Sequence, residues 1–127
     1  MAFIKVTLDA KEPEAAPEGS YPLRIVKVEE KESSKGSDMI VATIRIEDAS
    51  VNAPLFNHYV VLPGPKSTNP EFAKLQVQRF LEVFGIPHED DGFDPDDFQG
   101  AEGECVVTQQ EGDDGIIRNT LRLPRLA

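Results

Sequence analysis

Acidic side chains cluster between residues 88 and 100, where the segment HEDDGFDPDDFQG holds six carboxylates in thirteen positions. Clustered carboxylate oxygens are the ligands that Ca²⁺ and Mg²⁺ prefer in proteins. An EF-hand loop, however, needs oxygen ligands at alternate positions before its invariant glycine. Counting back from Gly92 places Pro87 at the first of these positions, and Pro87 has no side-chain oxygen. We therefore predict no metal site in this segment.

The pair Asp94-Pro95 within this segment has a simpler explanation than cation binding. Asp is a favoured N-cap residue, and Pro is favoured at the first position of a helix. Asp96 and Asp97 then lie in the first helical turn, where the helix dipole stabilises carboxylates. The acidic segment is therefore predicted to be a solvated loop that leads into a short helix, away from the path of any polyanion.

Three other side chains could take part in catalysis: His58, His88 and Cys105. General acid–base or nucleophilic catalysis needs such groups next to a second reactive group. No motif spacing links these three residues, and Cys105 lies in an apolar run where a buried, unreactive thiol is expected. A single cysteine also excludes an internal disulfide and a cysteine-based zinc cage. The sequence predicts a protein with no enzymatic activity and no cofactor.

The charge is distributed unevenly along the 127 residues. The formal net charge is −10, but residues 86–115 contain eleven acids and no Lys or Arg. The rest of the chain has thirteen bases against twelve acids, a net charge of +1. Because net charge does not decide whether a local basic groove exists, a positive patch can form outside residues 86–115.

Membrane association and secretion are not indicated by the sequence. No apolar run approaches the ~20 residues that cross a bilayer. The start MAFIKVTLDA lacks the basic and apolar regions of a signal peptide. We therefore expect a cytoplasmic protein that does not bind membranes.

Short β-prone runs separated by turn residues dominate the sequence. Within residues 21–30 the apolar phase switches between Ile25 and Val26, which indicates a β-bulge. Strands are predicted over residues 3–8, 21–30, 39–47, 55–62, 104–109 and 116–123. Residues 10–20 are rich in Pro and Glu and form a connector. The chain is thus divided into an N-terminal strand with its connector, residues 1–20, and a domain over residues 21–127.

One helix is predicted between the third and fourth strands of this domain. Asn69 is suited to be its N-cap, Pro70 its first residue and Gly85 its end. The helical spacing places one apolar stripe at Ala73, Val77, Phe80, Leu81 and Phe84. Short strands that close into a barrel leave no exposed sheet edge. The predicted fold is mainly β: a five-stranded OB-fold-like barrel with one α-helix between strands 3 and 4 and an extra N-terminal strand.

Several short motifs are spread over residues 17–124. The first is an EG-Y entry at Glu18, Gly19 and Tyr21, and the second is a K-S-K-G turn at Lys31, Ser34, Lys35 and Gly36. Further along are FLEVFGIP, FDPDDFQGAEGECVV and RNTLRL. In these motifs the chain resembles a family of bacteriophage proteins encoded in recombination and replication gene clusters. The resemblance implies an OB-fold and binding of single-stranded DNA.

Proteins that bind single-stranded nucleic acid need cations along a groove and planar side chains on which bases stack. Tyr59 is out of phase with Phe56, Val60 and Leu62, so it is exposed if those three point inward. The candidate contact residues are Tyr21, Arg24, Lys27, Lys31, Lys35, Arg45, Tyr59, Lys66, Arg118 and Arg122. The alternative is that these are ordinary surface charges paired with acids, and that Tyr59 is a partly buried strand aromatic.

From the sequence we hypothesise that this is a non-enzymatic protein of the host cytoplasm. It would bind single-stranded DNA with low sequence specificity during phage DNA replication or recombination. Further candidate partners are phage or host recombination and replication proteins, contacted through the acidic residues 86–115, and a second copy of the chain. Many single-strand-binding proteins recruit partners through an acidic tail, whereas this sequence ends LRLPRLA. Two alternatives stay open. One is a protein-interaction or virion-structural module, and the other is an acidic mimic of nucleic acid.

Overall fold

The computed structural model describes residues 2–32, 38–64 and 69–126. Its elements, in chain order, are β1 (Gly19–Glu32), β2 (Asp38–Ile46), β3 (Phe56–Val61), α1 (Pro70–Val83), β4 (His88–Glu89), β5 (Gly92–Phe93), a 3₁₀ helix (Pro95–Asp97), β6 (Glu102–Glu111) and β7 (Ile117–Arg122). Within the described ranges, no helix is long and apolar enough to cross a membrane.

Five of the strands form one antiparallel sheet in the order β3-β2-β1-β6-β7. β1, β2 and β3 follow one another, and β6 then returns over a long connection to lie beside β1, which is a Greek key. The sheet curls strongly into a half-barrel, so that its edge strands β3 and β7 come close together. The prediction of a mainly β, barrel-like fold with five main strands and one α-helix is confirmed.

β1 bends at Val26, where the sequence predicts a bulge. The register between β1 and β2 shifts between Ile25 and Lys27, which confirms the bulge. The pairing between β1 and β6 ends at the same point. The N–H of Ile25 donates to the carbonyl of Ala101 at 2.9 Å, and its carbonyl accepts from the N–H of Gly100 at 2.8 Å. Because a bulge increases local twist, this long strand can curve around the core while pairing with β2 along most of its length.

Helix α1 covers the apolar side of the sheet. The side-chain oxygen of Asn69 accepts a hydrogen bond from the N–H of Phe72 at 3.1 Å, so the predicted N-cap is confirmed. Gly85 follows the helix with a φ of 59°, a conformation that favours glycine. Of the predicted apolar stripe, the buried members are Val77, Phe80, Leu81 and Phe84. They pack on strand residues of the core that include Leu23, Ile25, Ile44 and Val107.

The acidic segment is folded onto this core. Asp94 accepts a hydrogen bond from the N–H of Asp96 at 2.9 Å, and Pro95 begins the 3₁₀ helix, as the sequence predicts. Phe98 is fully buried, with its ring centroid 5.5 Å from that of Phe80. The described residues contain no group of three or more His, Cys, Asp and Glu side chains placed to hold a metal ion.

The predicted N-terminal strand over residues 3–8 is wrong. Residues 2–17 have no regular secondary structure, and Phe3, Ile4 and Leu8 are at least 80% exposed. Alternating apolar residues can form a strand only where the backbone finds hydrogen-bonding partners on a neighbouring strand. No strand of the described sheet pairs with this segment, so its β-prone composition alone does not order it.

The connector is attached to the half-barrel at Ala16. The N–H of Ala16 donates to the side-chain oxygen of Asn119 at 2.8 Å. The carbonyl of Ala16 accepts from the amide groups of Asn119, at 3.0 Å, and Gln109, at 2.8 Å. Asn119 is the buried polar residue of the described core, and these bonds satisfy its amide. The connector is also held further back, since the N–H of Glu14 donates to the carbonyl of Asn52 at 3.1 Å.

Gly103 on β6 lies directly beneath the end of helix α1. A Cβ atom at this position would overlap the backbone carbonyl of Val83. Because the obstacle is backbone and not a flexible side chain, Gly103→Ala must displace the end of the helix. We expect a loss of about 1–3 kcal/mol in the free energy of unfolding, as for overpacked cores. Urea denaturation followed by circular dichroism measures this loss.

Gly92 on β5 provides the matched control. A Cβ atom at Gly92 would meet nothing within 4 Å, and the residue does not adopt a positive φ. Gly92→Ala should therefore leave the unfolding midpoint nearly unchanged. Equal stability of the Gly103→Ala and wild-type proteins would contradict this account of how the helix sits on the sheet.

Candidate nucleic-acid interface

The outer face of the sheet carries several of the candidate contact residues. In the ladder between β1 and β2, Arg24 lies opposite Arg45 and Lys27 lies opposite Thr43. Residues opposite each other in an antiparallel pair project from the same face of the sheet. Leu23 and Ile25, the neighbours of Arg24 in sequence, are buried, so Arg24 and Arg45 point outward. Lys31 lies further along β1, opposite Met39.

Tyr59 projects from the same outer face on β3. Phe56 and Val60 are buried, whereas Tyr59 is 56% exposed, so the predicted strand phase is confirmed. Next to it, a groove of about 360 Å³ runs between the edge strands β3 and β7. We call it the seam groove, and it is lined by Leu55, Phe56, Asn57, Tyr59, Gln110, Gly112, Arg118, Asn119 and Thr120. It places an exposed aromatic ring and a guanidinium in one concave surface.

Carboxylates accompany four of the candidate cations. The ion pairs, with their N–O distances, are Arg45–Glu47 at 2.7 Å, Arg118–Asp114 at 2.8 Å, Arg24–Glu102 at 3.4 Å and Lys31–Glu29 at 3.7 Å. Hydrogen bonds from Arg118 and from the Ile116 N–H lower the pKa of Asp114 to about 2. The hydrogen bond from Arg45 likewise lowers the pKa of Glu47. These acids therefore stay ionised at neutral pH and offset the charge of the cations they touch.

Two carboxylates of residues 86–115 thus lie on the same surface as the candidate cations, because Glu102 pairs with Arg24 and Asp114 with Arg118. Both residues lie outside residues 88–100, the segment expected to lie away from the path of a polyanion, so that expectation stays a prediction. Two other candidates, Lys27 and Arg122, are exposed and make no ion pair with the described residues. Among the described residues, the outer face therefore combines cations that make ion pairs with cations that make none.

Tyr21 is placed differently from the other candidates. It lies opposite Cys105 and packs partly against the core, and its hydroxyl donates to the carbonyl of Pro17 at 2.7 Å. The structure therefore gives Tyr21 a contact that orders the start of β1. The candidates Lys35 and Lys66 lie outside the described residues. Arg118 and Tyr59 share the seam groove, and Arg24, Lys27 and Arg45 share the face of β1 and β2.

His58 and Cys105 point to the core. The His58 ring stacks on Phe80, with centroids 5.1 Å apart, and burial lowers the pKa of His58 to about 4. Cys105 is buried, as predicted, and its thiol donates to the carbonyl of Arg122 at 3.3 Å. Burial raises the pKa of this thiol. At neutral pH the imidazole is therefore uncharged and the thiol protonated, and both act as packing groups.

Sequence reasoning missed the polar lining of the seam groove. Asn57 accepts a hydrogen bond from the Thr43 hydroxyl at 2.9 Å, which holds its amide on the outer face. Asn57 shares the phase of Tyr59 on β3, so strand alternation could have identified it. Gln110 comes from β6, and no local pattern places it near β3. It reaches the groove only because the sheet curls until its edges approach.

Known proteins give no assignment for this surface. No protein-family model matches the chain, and a search of curated proteins finds no significant match. A function must therefore be inferred from the arrangement of side chains on the outer face and in the seam groove.

The half-buried position of His58, stacked on Phe80, predicts a pH dependence of stability. The unfolded chain binds a proton near the ordinary pKa of 6.5, but the folded chain binds it only near pH 4. The contribution of His58 to stability is therefore complete above pH 6.5 and is lost as the pH falls toward 4. Between pH 7 and pH 4.5 the loss is about 2 kcal/mol. Urea denaturation of the wild type and of His58→Phe at both pH values measures it.

His58→Phe keeps an aromatic ring against Phe80 but cannot titrate, so it should lose about 2 kcal/mol less than the wild type over this pH interval. Parallel pH profiles for the wild type and His58→Phe would show that His58 does not titrate as its burial requires.

Proposed function

We propose that this protein is an OB-fold-like barrel that binds single-stranded DNA without enzymatic activity and with low sequence specificity. The Greek-key sheet whose edge strands approach each other supports the OB-fold assignment, since that fold is a partly open, five-stranded Greek-key barrel. OB-folds bind oligonucleotides through the face of their second and third strands and through the adjacent loops. In this chain those strands are β2 and β3, which carry Arg45 and Tyr59.

The proposal rests mainly on the seam groove, in which Tyr59 and Arg118 line one surface. A base stacks on an exposed aromatic ring or on a guanidinium plane, and each stacked base contributes about 1–3 kcal/mol. The amides of Asn57 and Gln110 can hydrogen-bond to base edges in the same groove. Because every base has a π-face, stacking on Tyr59 favours binding with little sequence preference.

The cations of the outer face supply contacts to the DNA backbone. Lys27 and Arg122 are available to phosphates without breaking an ion pair within the described residues. Arg24, Arg45 and Arg118 are held by carboxylates and must exchange these for phosphates. Each phosphate contact releases counterions, so affinity should fall as salt rises. The resemblance of motifs over residues 17–124 favours a role in phage DNA replication or recombination.

A second candidate function is the docking of a partner protein on the acidic segment. It is favoured because that segment has a defined fold. β4 pairs with β5, Asp94 caps the 3₁₀ helix and Phe98 is fully buried. The carboxylates between residues 89 and 97 are thus held on a folded scaffold and not on a loose loop. Such a surface could contact a basic protein, either as a recruiting site or as a mimic of nucleic acid. This function requires no DNA binding by the outer face.

Fluorescence anisotropy with labelled oligo-dT tests the proposed DNA binding. We expect saturable binding at ~50 mM salt and weaker binding at ~200 mM salt. Over this range, contacts with phosphates make the affinity fall measurably. Tyr59→Ala should weaken binding about 5- to 150-fold, because it removes a stacking surface. Failure of the wild type to bind at the lower salt would contradict the proposal and favour the protein-docking alternative.

Phe72→Ala is the matched control for Tyr59→Ala. Phe72 is an aromatic residue of similar exposure, 53% against 56%, but it lies on α1 and not on the outer face of the sheet. Its removal should leave the affinity for oligo-dT within about twofold of the wild type. An equal loss in both variants would show that Tyr59 is not part of a localised stacking site.

A further inference from the structure

Arg24 and Arg45 form a cluster with two carboxylates beside a groove on the outer face. The arginines lie directly opposite each other in the ladder between β1 and β2. The groove has a volume of about 510 Å³, and Glu47 and Glu102 lie on its wall with the two arginines. Neighbouring strands are ~4.8 Å apart, so both guanidiniums can reach one small anion. Paired arginines present donors in the fork geometry that suits a phosphate.

Both guanidiniums are occupied in the absence of a ligand. Glu47 Oε1 accepts from Arg45 Nη2 at 2.7 Å and from Arg45 Nε at 3.2 Å. Glu102 Oε1 lies 3.4 Å from Arg24 Nη1. The cluster therefore has two positive and two negative charges, so that it neither attracts nor repels a phosphate strongly from a distance. This balance is local and does not depend on the net charge of the chain.

The backbone of Glu47 is held in place although its side chain is partly exposed. Its N–H donates to the carbonyl of Pro22 at 2.8 Å, which extends the ladder between β1 and β2 by one position. Glu102 lies opposite Arg24 in the ladder between β1 and β6. Both carboxylates are therefore fixed next to the guanidiniums at the level of the main chain. Rotation of the side chains can move them off the guanidiniums but not out of the cluster.

We propose that Arg24 and Arg45 clamp one phosphodiester group of single-stranded DNA and that Glu47 and Glu102 limit the affinity of this clamp. The inference rests on the proposed function, since it assigns a phosphate subsite within the proposed interface. When DNA binds, one phosphate takes over the charge-assisted hydrogen bonds that the two carboxylates accept in the free protein. The displaced carboxylates remain beside the phosphate and repel it, which makes binding weaker and readily reversible.

Removal of the carboxylate charges should therefore strengthen DNA binding. Glu47→Gln and Glu102→Gln keep the side-chain shape while removing the competing negative charge. We expect each to tighten binding of oligo-dT about three- to tenfold at ~50 mM salt, and the double variant to bind more tightly than either. Because the pairs are exposed, neither change should alter the unfolding midpoint appreciably, and circular dichroism verifies this.

Two controls separate a local clamp from a general effect of charge. Glu71→Gln removes one negative charge from α1, where Glu71 pairs with Lys74 at 3.2 Å, and should change affinity less than about twofold. Adding Arg24→Ala and Arg45→Ala to the double Gln variant should abolish its gain. An equal gain from Glu71→Gln, or a gain that survives loss of both arginines, would overturn the clamp.

An NMR titration with inorganic phosphate tests the clamp without DNA. In the double Gln variant the side-chain Nε–H signals of Arg24 and Arg45 should shift on addition of phosphate, and the wild type should show smaller shifts. If the wild type binds oligo-dT but the Gln variants bind no more tightly, the clamp is wrong and the proposed function stands. If no variant binds oligo-dT, the proposed function is wrong. In that case the clamp on DNA is wrong too, and arginine signals that do not respond to phosphate would show that the two arginines form no phosphate site at all.

Discussion

The fully buried ring of Phe80 is the contact through which the sheet, the helix and the acidic segment are held together. Its centroid lies 5.1 Å from His58 on β3, 4.9 Å from Phe84 at the end of the helix and 5.5 Å from Phe98. Aromatic rings at these separations contribute stacking energy in addition to buried area. Since His58 lies on β3 and Phe98 follows the 3₁₀ helix, this one cluster joins the half-barrel, its helical cover and the acidic segment.

The composition of the outer face follows from this core. Once Phe56, His58 and Val60 turn inward toward the cluster, strand alternation forces Asn57 and Tyr59 outward. The bulge at Val26 has a similar effect on β1, because it resets the phase so that both Arg24 and Lys27 project outward although they are an odd number of residues apart. The candidate interface is therefore a consequence of how the core is packed.

Local patterns predict the features that depend on neighbouring residues. The Asn69 cap, the bulge at Val26, the helix start at Asp94-Pro95 and the exposure of Tyr59 all follow from short-range chemistry. The ion pair between Arg24 and Glu102 could not be found this way, because it depends on β6 returning beside β1. The seam groove depends likewise on the curl of the whole sheet. The strand predicted over residues 3–8 failed because a strand also needs a partner.

Net charge is a poor guide to the behaviour of this surface. Screening at physiological salt confines the effect of an exposed charge to about 8 Å, so carboxylates influence a bound polyanion mainly where they lie beside it. Glu47, Glu102 and Asp114 touch the arginines of the candidate interface, and Glu71 on the helix does not. We therefore expect a few acids placed against cations to affect the proposed DNA binding more than the charge of −10 summed over the chain does. The acidity of the protein is thus compatible with the proposed DNA-binding face, whose affinity we expect to depend on these ion pairs and not on the total charge.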